Sequence, residues 1–328
     1  MQKKAIILGI SGQDGLYLTS RLVRAGYRVV GVSRNTKERN VRELPVLDKH
    51  ENVNLRHLDA QDSLKLNALF DEWKPVEIYN LAGESSVAES FKNPMYAVNS
   101  NIKITLNCLE YIRTRSPDIK FFNASSSECF GNQGGVPASE TTPFCPISPY
   151  AVGKACAYSL TKTYREVYGM FACSAIMFNH ESRFRGSQFV SQKIVSGARL
   201  ISEKRISQLE LGNLNIERDW GWAPEYVDGI FRIMQHGIAD DFVLATGESN
   251  KLLTFVDAAF RYYGLNWENW VISTDQYFRP ADIEKNCGNP SKARRELGWV
   301  AKYRISDIVK DMAGDLAEPV IQYPYDRS

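Results

Sequence analysis

The chain has 328 residues, 44% hydrophobic and 24% charged, which suits one large or two closely joined domains with a sizeable core. Its net charge of +2 is too small to argue for nucleic acid or a membrane surface as a partner, and no apolar stretch approaches membrane-spanning length. The six cysteines form no CxxC pair and the four histidines no HxxxH spacing, which argues against a metal site; Cys108, Cys129, Cys145, Cys156, Cys173 and Cys287 read as small hydrophobes in a reducing cytoplasm.

Met1-Gln-Lys-Lys4 leads into an apolar run too short for a signal-peptide core, read instead as a first strand, Lys4–Leu8. Gly9-Ile-Ser11-Gly12-Gln13-Asp14-Gly15 follows, ahead of a predicted helix Leu16–Ala25. Glycines after a strand and at a helix start let the backbone turn tightly and approach a pyrophosphate, which the free N–H groups and the positive end of the helix dipole then attract. A simple turn explains many such triplets, but the strand–turn–helix setting favours a dinucleotide.

The second predicted strand, Arg28–Val32, runs into Ser33-Arg34-Asn-Thr-Lys37-Glu-Arg39. An acid at this strand end would bind the ribose 2′-OH of NAD; Arg34 suits the 2′-phosphate of NADP, against the plainer reading of a solvated basic loop. Strand Val53–Leu58 ends at Asp59, either an acceptor for the adenine amino group or an ordinary turn carboxylate. Helix Ser63–Trp73, strand Glu77–Leu81, helix Tyr96–Ser116 and strand Lys120–Ala124 continue the alternation. Such alternation predicts an α/β fold with a Rossmann-like, doubly wound parallel sheet, and the apolar Ile78-Tyr-Asn-Leu-Ala82 fits a sheet covered on both faces.

Ser125, Ser126, Ser127 and Glu128 follow that strand, ahead of a predicted helix Pro149–Tyr168 that carries Tyr150 and Lys154. A lysine four residues after a tyrosine lies on the same helix face, and its charge favours tyrosinate, so the pair makes a base from a group whose pKa is ordinarily about 10. YxxxK is common by chance; the serines strengthen it, unless they are only a polar turn. Glu128 is either a base able to remove a proton alpha to a new ketone or a strand-end carboxylate in a salt bridge or cap. After a strand Phe171–Phe178 the pattern loosens into loops rich in Gly, Asn and Arg around Asn179–Gln188 and Gly212–Trp222, with one more strand at Asp241–Ala245. The expectation is a smaller C-terminal α/β lobe over the end of the sheet, without repeats or low-complexity stretches.

The glycine motif, the Tyr150/Lys154 pair and the serine cluster resemble the extended short-chain dehydrogenase/reductase superfamily. More specific segments resemble its GDP-mannose 4,6-dehydratase family: Gly12-Gln-Asp-Gly15, Tyr79-Asn-Leu-Ala82, Glu140-Thr-Thr-Pro-Phe144 and Asn179-His-Glu-Ser182 with Arg185-Gly186. Phe189-Val190, Lys193-Ile194, Leu211-Gly-Asn-Leu214, Arg218-Asp-Trp-Gly221, Tyr226-Val227, Ala245-Thr-Gly-Glu248 and Arg279-Pro280 follow in the family's order. The resemblance runs from Lys4 to about Val300, and Asn-His-Glu-Ser and Arg-Asp-Trp-Gly are its most specific segments.

The resemblance implies a lyase, NADP-dependent 4,6-dehydration of a GDP-hexose, with GDP-mannose first in line. It makes Ser126, Glu128, Tyr150 and Lys154 catalytic, with Ser126 where the family has threonine. It assigns NADP to Gly9, Ser11, Gly12, Gln13, Asp14, Gly15, Arg34, Asp59, Leu81, Ser85, Tyr96, Lys154, His180 and Arg185. It assigns the GDP-sugar to Ser85, Ser126, Glu128, Tyr150, Asn179, Lys193, Arg218, Arg279 and Asp282. Residues 1–178, with 214–245 returning, would form the NADP-binding domain, and 179–213 with 246–328 the nucleotide-sugar lobe. A homo-oligomer, dimer or tetramer, is also implied, with the basic segment Arg34–Arg42 near a neighbour's cofactor.

The sequence departs from the family at Gly83, Glu84 and Ser86, at Arg183 and Phe184, and at Trp222. Glu84 is expected to add a carboxylate close to the sugar or nicotinamide pocket, and the departures bear on the sugar, a heptose for instance, more than on the reaction. A related reductase or epimerase and a non-catalytic nucleotide sensor are the competing readings; the complete set Ser126, Glu128, Tyr150 and Lys154 argues against the sensor.

Overall fold

The computed structural model describes residues 2–34 and 51–315, so of the basic segment only Arg34 lies among the described residues. Seven parallel strands form the central sheet: β1 (Lys4–Leu8), β2 (Arg28–Ser33), β3 (Val53–His57), β4 (Glu77–Asn80), β5 (Lys120–Ser126), β6 (Ala172–Met177) and β10 (Phe242–Leu244). Their order is β10-β6-β5-β4-β1-β2-β3. The winding direction reverses between β1 and β4, which opens a crevice at their C-terminal ends where an open α/β sheet binds its ligand.

One face is covered by α1 (Gln13–Arg24), α7 (Ala223–Gln235) and α9 (Ser291–Leu297), through a core that includes Leu18, Leu22, Tyr226, Ile230 and Trp299. The other is covered by α2 (Ser63–Trp73), α4 (Pro94–Arg115) and α5 (Pro149–Tyr168), through Leu66, Phe70, Ile104, Cys108 and Phe121. Helix α3 (Val87–Lys92) is a short turn ahead of α4.

A third apolar cluster builds the C-terminal lobe from α6 (Val190–Ser202), β8 (Leu209–Leu211), β9 (Glu217–Trp222), α8 (Leu252–Tyr262) and α10 (Ile305–Ala313). Strand β9 lies between β7 (Asn179–Glu181) and β11 (Ser249–Lys251) in a separate three-stranded sheet; β8 pairs with β12 (Val271–Ser273). Of the stretch 214–245, therefore, α7 and β10 join the large sheet and β9 does not.

Local chemistry explains the boundaries. Helix α5 starts where predicted because the Ser148 hydroxyl accepts from the Ala151 N–H, Pro149 sits at the first turn, and Gly169 at φ 66° ends it. Helix α4 starts two residues before its predicted start, because the Asn93 side chain accepts from the Tyr96 N–H and Pro94 follows it. Strand β5 runs two residues beyond its predicted end, since Ser125 and Ser126 still pair with Ile176 and Met177.

Candidate active site

Two adjoining cavities open at the crevice. The larger, about 530 Å³, is lined by Gly9, Ser11, Gly12, Gln13, Asp14, Gly15, Arg34, Asp59, Leu81, Ser85, Tyr96 and Arg185, all expected cofactor residues. Its floor is close-packed backbone. Gly9 sits at φ +89°, and a Cβ on Gly15 would come within 2.5 Å of the Gly9 carbonyl oxygen. Gly12 precedes α1 without a side-chain cap, so the first-turn amides face this space unshielded. A glycine cradle, an uncapped helix start and a nearby guanidinium fit a dinucleotide diphosphate. Arg34 donates to the Tyr96 hydroxyl and lies 5.5 Å from that ring's centroid, so the two are held together at the β2 end. The Asp59 carboxylate accepts from the Gln61 N–H at 3.0 Å while still lining the cavity.

The smaller cavity, about 190 Å³, brings together Ser85, Ser126, Glu128, Tyr150, Lys154, Asn179, His180, Arg218 and Arg279. Asp14, Leu81, Ser85 and Arg185 line both cavities. Lys193 and Asp282 line neither. The Lys193 ammonium sits 3.6 Å from the Tyr277 ring centroid, and Asp282 accepts from Arg218 at 2.7 Å, with Arg279 at 3.5 Å.

Burial sets the electrostatics of this cavity. It pushes the Lys154 ammonium down to about 8, while the amine is anchored at 2.9 Å on the Ala124 carbonyl. It lifts the Tyr150 phenol above its ordinary value, with a hydrogen bond from Ser126 pulling the other way; Lys154 lies 6.0 Å from the Tyr150 ring centroid. Burial also raises the Glu128 carboxyl, against the pull of Arg218 and Arg279. Raised carboxyls in clefts are where proton-transfer groups are found. Burial would raise Asp14 too, but the charge of His180 at 3.0 Å wins and holds it down; the same pair lifts His180 against its own burial. The His180 ring is also stacked on Tyr226 at 4.7 Å.

Arg218 is 3% exposed and donates to the Ile283 carbonyl at 2.6 Å as well as to Asp282. A guanidinium kept this dry but turned into a cavity is suited to a diphosphate.

Glu84 sits beside the cavities, between Gly83 and Ser85, but its carboxylate turns to the backbone. Its carboxylate accepts from the Ser85 and Ser86 N–H groups, each at 2.8 Å, and lines neither cavity. Two amides ahead of α3 offered it closer partners than the pocket. Ser86 does line the catalytic cavity, and its hydroxyl caps α3 by accepting from Glu89. Sequence reasoning missed Gln188, which lines both cavities, and Asn286, which donates to Ser127 at 2.9 Å from 159 residues away. Neither lies in a motif. Among the described residues, no cluster of His, Cys, Asp and Glu could hold a metal ion, and no helix is long and apolar enough to cross a membrane.

Three similarities bear on this geometry. An Arabidopsis thaliana protein named GDP-mannose 4,6 dehydratase 2 is 41% identical over 325 residues, covering 96% of this chain and 87% of its own. Among solved structures, dTDP-glucose 4,6-dehydratase from Bacillus anthracis in complex with NAD superposes with a TM-score of 0.82 at 18% identity, covering 95% of this chain and 96% of its own. RMD from Pseudomonas aeruginosa complexed with NADPH gives 0.78 at 21% identity, with 96% and 97% covered. At such identities these structures speak for the Rossmann-like fold alone. The family model described as GDP-mannose 4,6 dehydratase matches residues 6–312. The chain belongs to the GDP-mannose 4,6-dehydratase family.

Proposed function

We propose that this protein is an NADP-dependent lyase that removes water across C5 and C6 of a GDP-hexose, GDP-mannose first, to give the GDP-4-keto-6-deoxy sugar. The observation that carries the proposal is the gathering of Ser126, Glu128, Tyr150 and Lys154 with Arg218 and Arg279 in one cavity that opens beside the glycine cradle. Family membership supports the same reading.

Tyr150 takes the O4 proton as the C4–H bond breaks, and Ser126 donates a hydrogen bond to O4. NADP⁺, which the glycine cradle with Arg34 and Tyr96 would hold, would supply the hydride acceptor for C4 and a positive charge beside the site. Burial opposes ionisation of Tyr150, so the base form depends on what pulls the other way: the Ser126 hydrogen bond and the charge of Arg185, with the Lys154 ammonium 6.0 Å from the ring centroid. The C4 ketone acidifies the C5 proton, which Glu128 removes; protonated Glu128 then assists departure of the C6 hydroxyl as water, and the proton held by Tyr150 returns to C5 as the C4 hydride is delivered to C6, which closes the balance. A carboxyl already raised by burial holds that proton more readily than an ordinary one. Arg218, Arg279, Lys193 and Asn179 hold the GDP portion, and Asp282 fixes the arginine heads. Arg34 with Tyr96 supports NADP over NAD.

Ser86 favours a second reading, a bulkier GDP-sugar such as a heptose, because this small side chain lines the smaller cavity at a position where the sequence departs from its family. The reading also makes the protein a homo-oligomer, on family resemblance, which light scattering checks, and a cytoplasmic one, on its unpaired cysteines.

The test is to incubate the purified protein with GDP-mannose, with and without added NADP⁺, and to follow the sugar nucleotide by mass spectrometry. Loss of one water with a 4-keto signature and no net change in cofactor is expected. Net consumption of NADPH on a GDP-4-keto sugar would instead make the protein a reductase; isomerisation without water loss would make it an epimerase.

A further inference from the structure

We propose that Asp311, on α10 in the C-terminal lobe, is a positioning residue that holds the 182–189 loop against the cofactor and so sets how long NADP stays bound. The inference rests on the reading of the larger cavity as the NADP site. The loop has no regular secondary structure, yet Phe184, Arg185, Gly186, Gln188 and Phe189 wall that cavity. Arg185, Gln188 and Phe189 also wall the catalytic one.

The Asp311 carboxylate is 1% exposed and binds the loop from behind. Its Oδ1 takes Arg183 Nε at 2.8 Å and lies 2.8 Å from Arg183 Nη2; its Oδ2 takes the Arg183 backbone N–H at 3.2 Å. The same Oδ2 takes the Trp222 indole N–H at 2.9 Å. Trp222 ends β9, the strand that carries Arg218, and packs at a tilt against Tyr303, with ring centroids 4.3 Å apart. One carboxylate thus ties together the loop at the cofactor, the strand of the buried arginine and the helix that anchors the lobe core.

Two of the sequence's departures from its family, Arg183 and Trp222, meet on this carboxylate although 39 residues separate them. Another departure, Phe184, docks on Tyr17 of α1 at 5.3 Å, fastening the loop to the glycine-cradle helix from the other side. A cofactor restored at the end of each cycle need not leave, so a clamp that slows its release costs no turnover.

Three variants test the clamp: D311N, W222F and R183K. NADPH affinity is measured by fluorescence titration, NADPH retention by gel filtration, and GDP affinity by calorimetry. Loss of a hydrogen-bonded charge predicts about tenfold weaker NADPH binding in D311N, and loss of one indole donor about threefold in W222F. R183K keeps the charge but not the planar fork and falls between them. GDP affinity stays within about twofold of the parent. A merely structural carboxylate would lower the melting temperature and leave NADPH affinity unchanged, or weaken NADPH and GDP alike; either result overturns the proposal. If D311N does not fold, W222F and R183K decide by the same criteria. None of the readouts requires turnover: a parent that binds NADPH but converts no sugar still tests the clamp, whereas a parent that binds no NADPH removes the cofactor reading and the clamp together.

Discussion

The cofactor cavity takes its floor from one unbroken stretch, Gly9 to Gly15, while the catalytic cavity gathers its groups from β5, α5, β7, β9 and the loop that carries Arg279. The first works through what is missing: side chains on Gly9 and Gly15, a cap on α1. The second works through what is present and buried, a carboxyl, a phenol, an amine and a guanidinium drawn out of water against their solvation. The contrast teaches that a binding cradle can be written locally, whereas tuned acid–base groups need a fold to desolvate them.

Removing the chemistry while leaving the cradle intact separates the two regions most sharply. Y150F should lower kcat by about 10²- to 10⁴-fold with NADPH binding retained. E128Q should lose dehydration to a similar extent but still oxidise C4, so reduced nicotinamide accumulates, visible in the near-ultraviolet; no accumulation would remove Glu128 from the C5 step. Taking away a buried guanidinium by R218A should weaken GDP binding by about 2–5 kcal/mol, because Asp282 is left without its main partner, while NADPH affinity holds. Calorimetry with each ligand checks that split.

At the cradle's edge, R34A should cost about 1.5–3 kcal/mol of NADP affinity and leave NAD nearly unchanged; equal loss for both would deny the 2′-phosphate contact. In the catalytic cavity, Lys154 is charged below about 8 and loses its proton above, so kcat/KM should fall as pH rises through about 8. The raised Glu128 carboxyl places the acid limb, where its base form is lost on protonation, at higher pH than for an ordinary carboxylate. A profile flat to pH 10 would show that the lysine charge is not needed. The smallest effect belongs to neither cavity floor: S148A removes the α5 cap and should cost about 1 kcal/mol of stability, with little change in either affinity.

Legibility followed the same division. Strand β1 and helices α2 and α5 have the residue bounds expected from the chain, because cap, proline and glycine signals lie beside them. The start of α1 was hidden because Gly12 at its N-cap and Gly15 in its first turn are poor helix formers that allow close approach. Strands β7, β8, β11 and β12 have three residues each, too few to show a period, whereas the equally short β10 lies inside the expected strand Asp241–Ala245. Of the proposed quartet, Tyr150 and Lys154 were legible as a pair on one helix face after a serine cluster, while Glu128 read equally as a base or a strand-end carboxylate. The partners of Glu84 were not legible, because a carboxylate's choice between a pocket and two nearby amides depends on backbone direction, which residue type does not carry. Arg218 with Asp282, 64 residues apart, came from family resemblance, since no local pattern joins them.

Strand β10 closes the large sheet beyond β6 yet lies at residues 242–244, after the whole of β7, α6, β8, β9 and α7. During synthesis, the edge of β6 therefore waits for almost seventy more residues before its neighbour emerges, with Ile176 and Met177 still lacking their partners Val243 and Leu244. An uncovered apolar edge invites pairing with another chain. The protein's most hazardous moment is thus on the ribosome, and a nascent chain halted between residues 178 and 241 should be the form that chaperones hold longest.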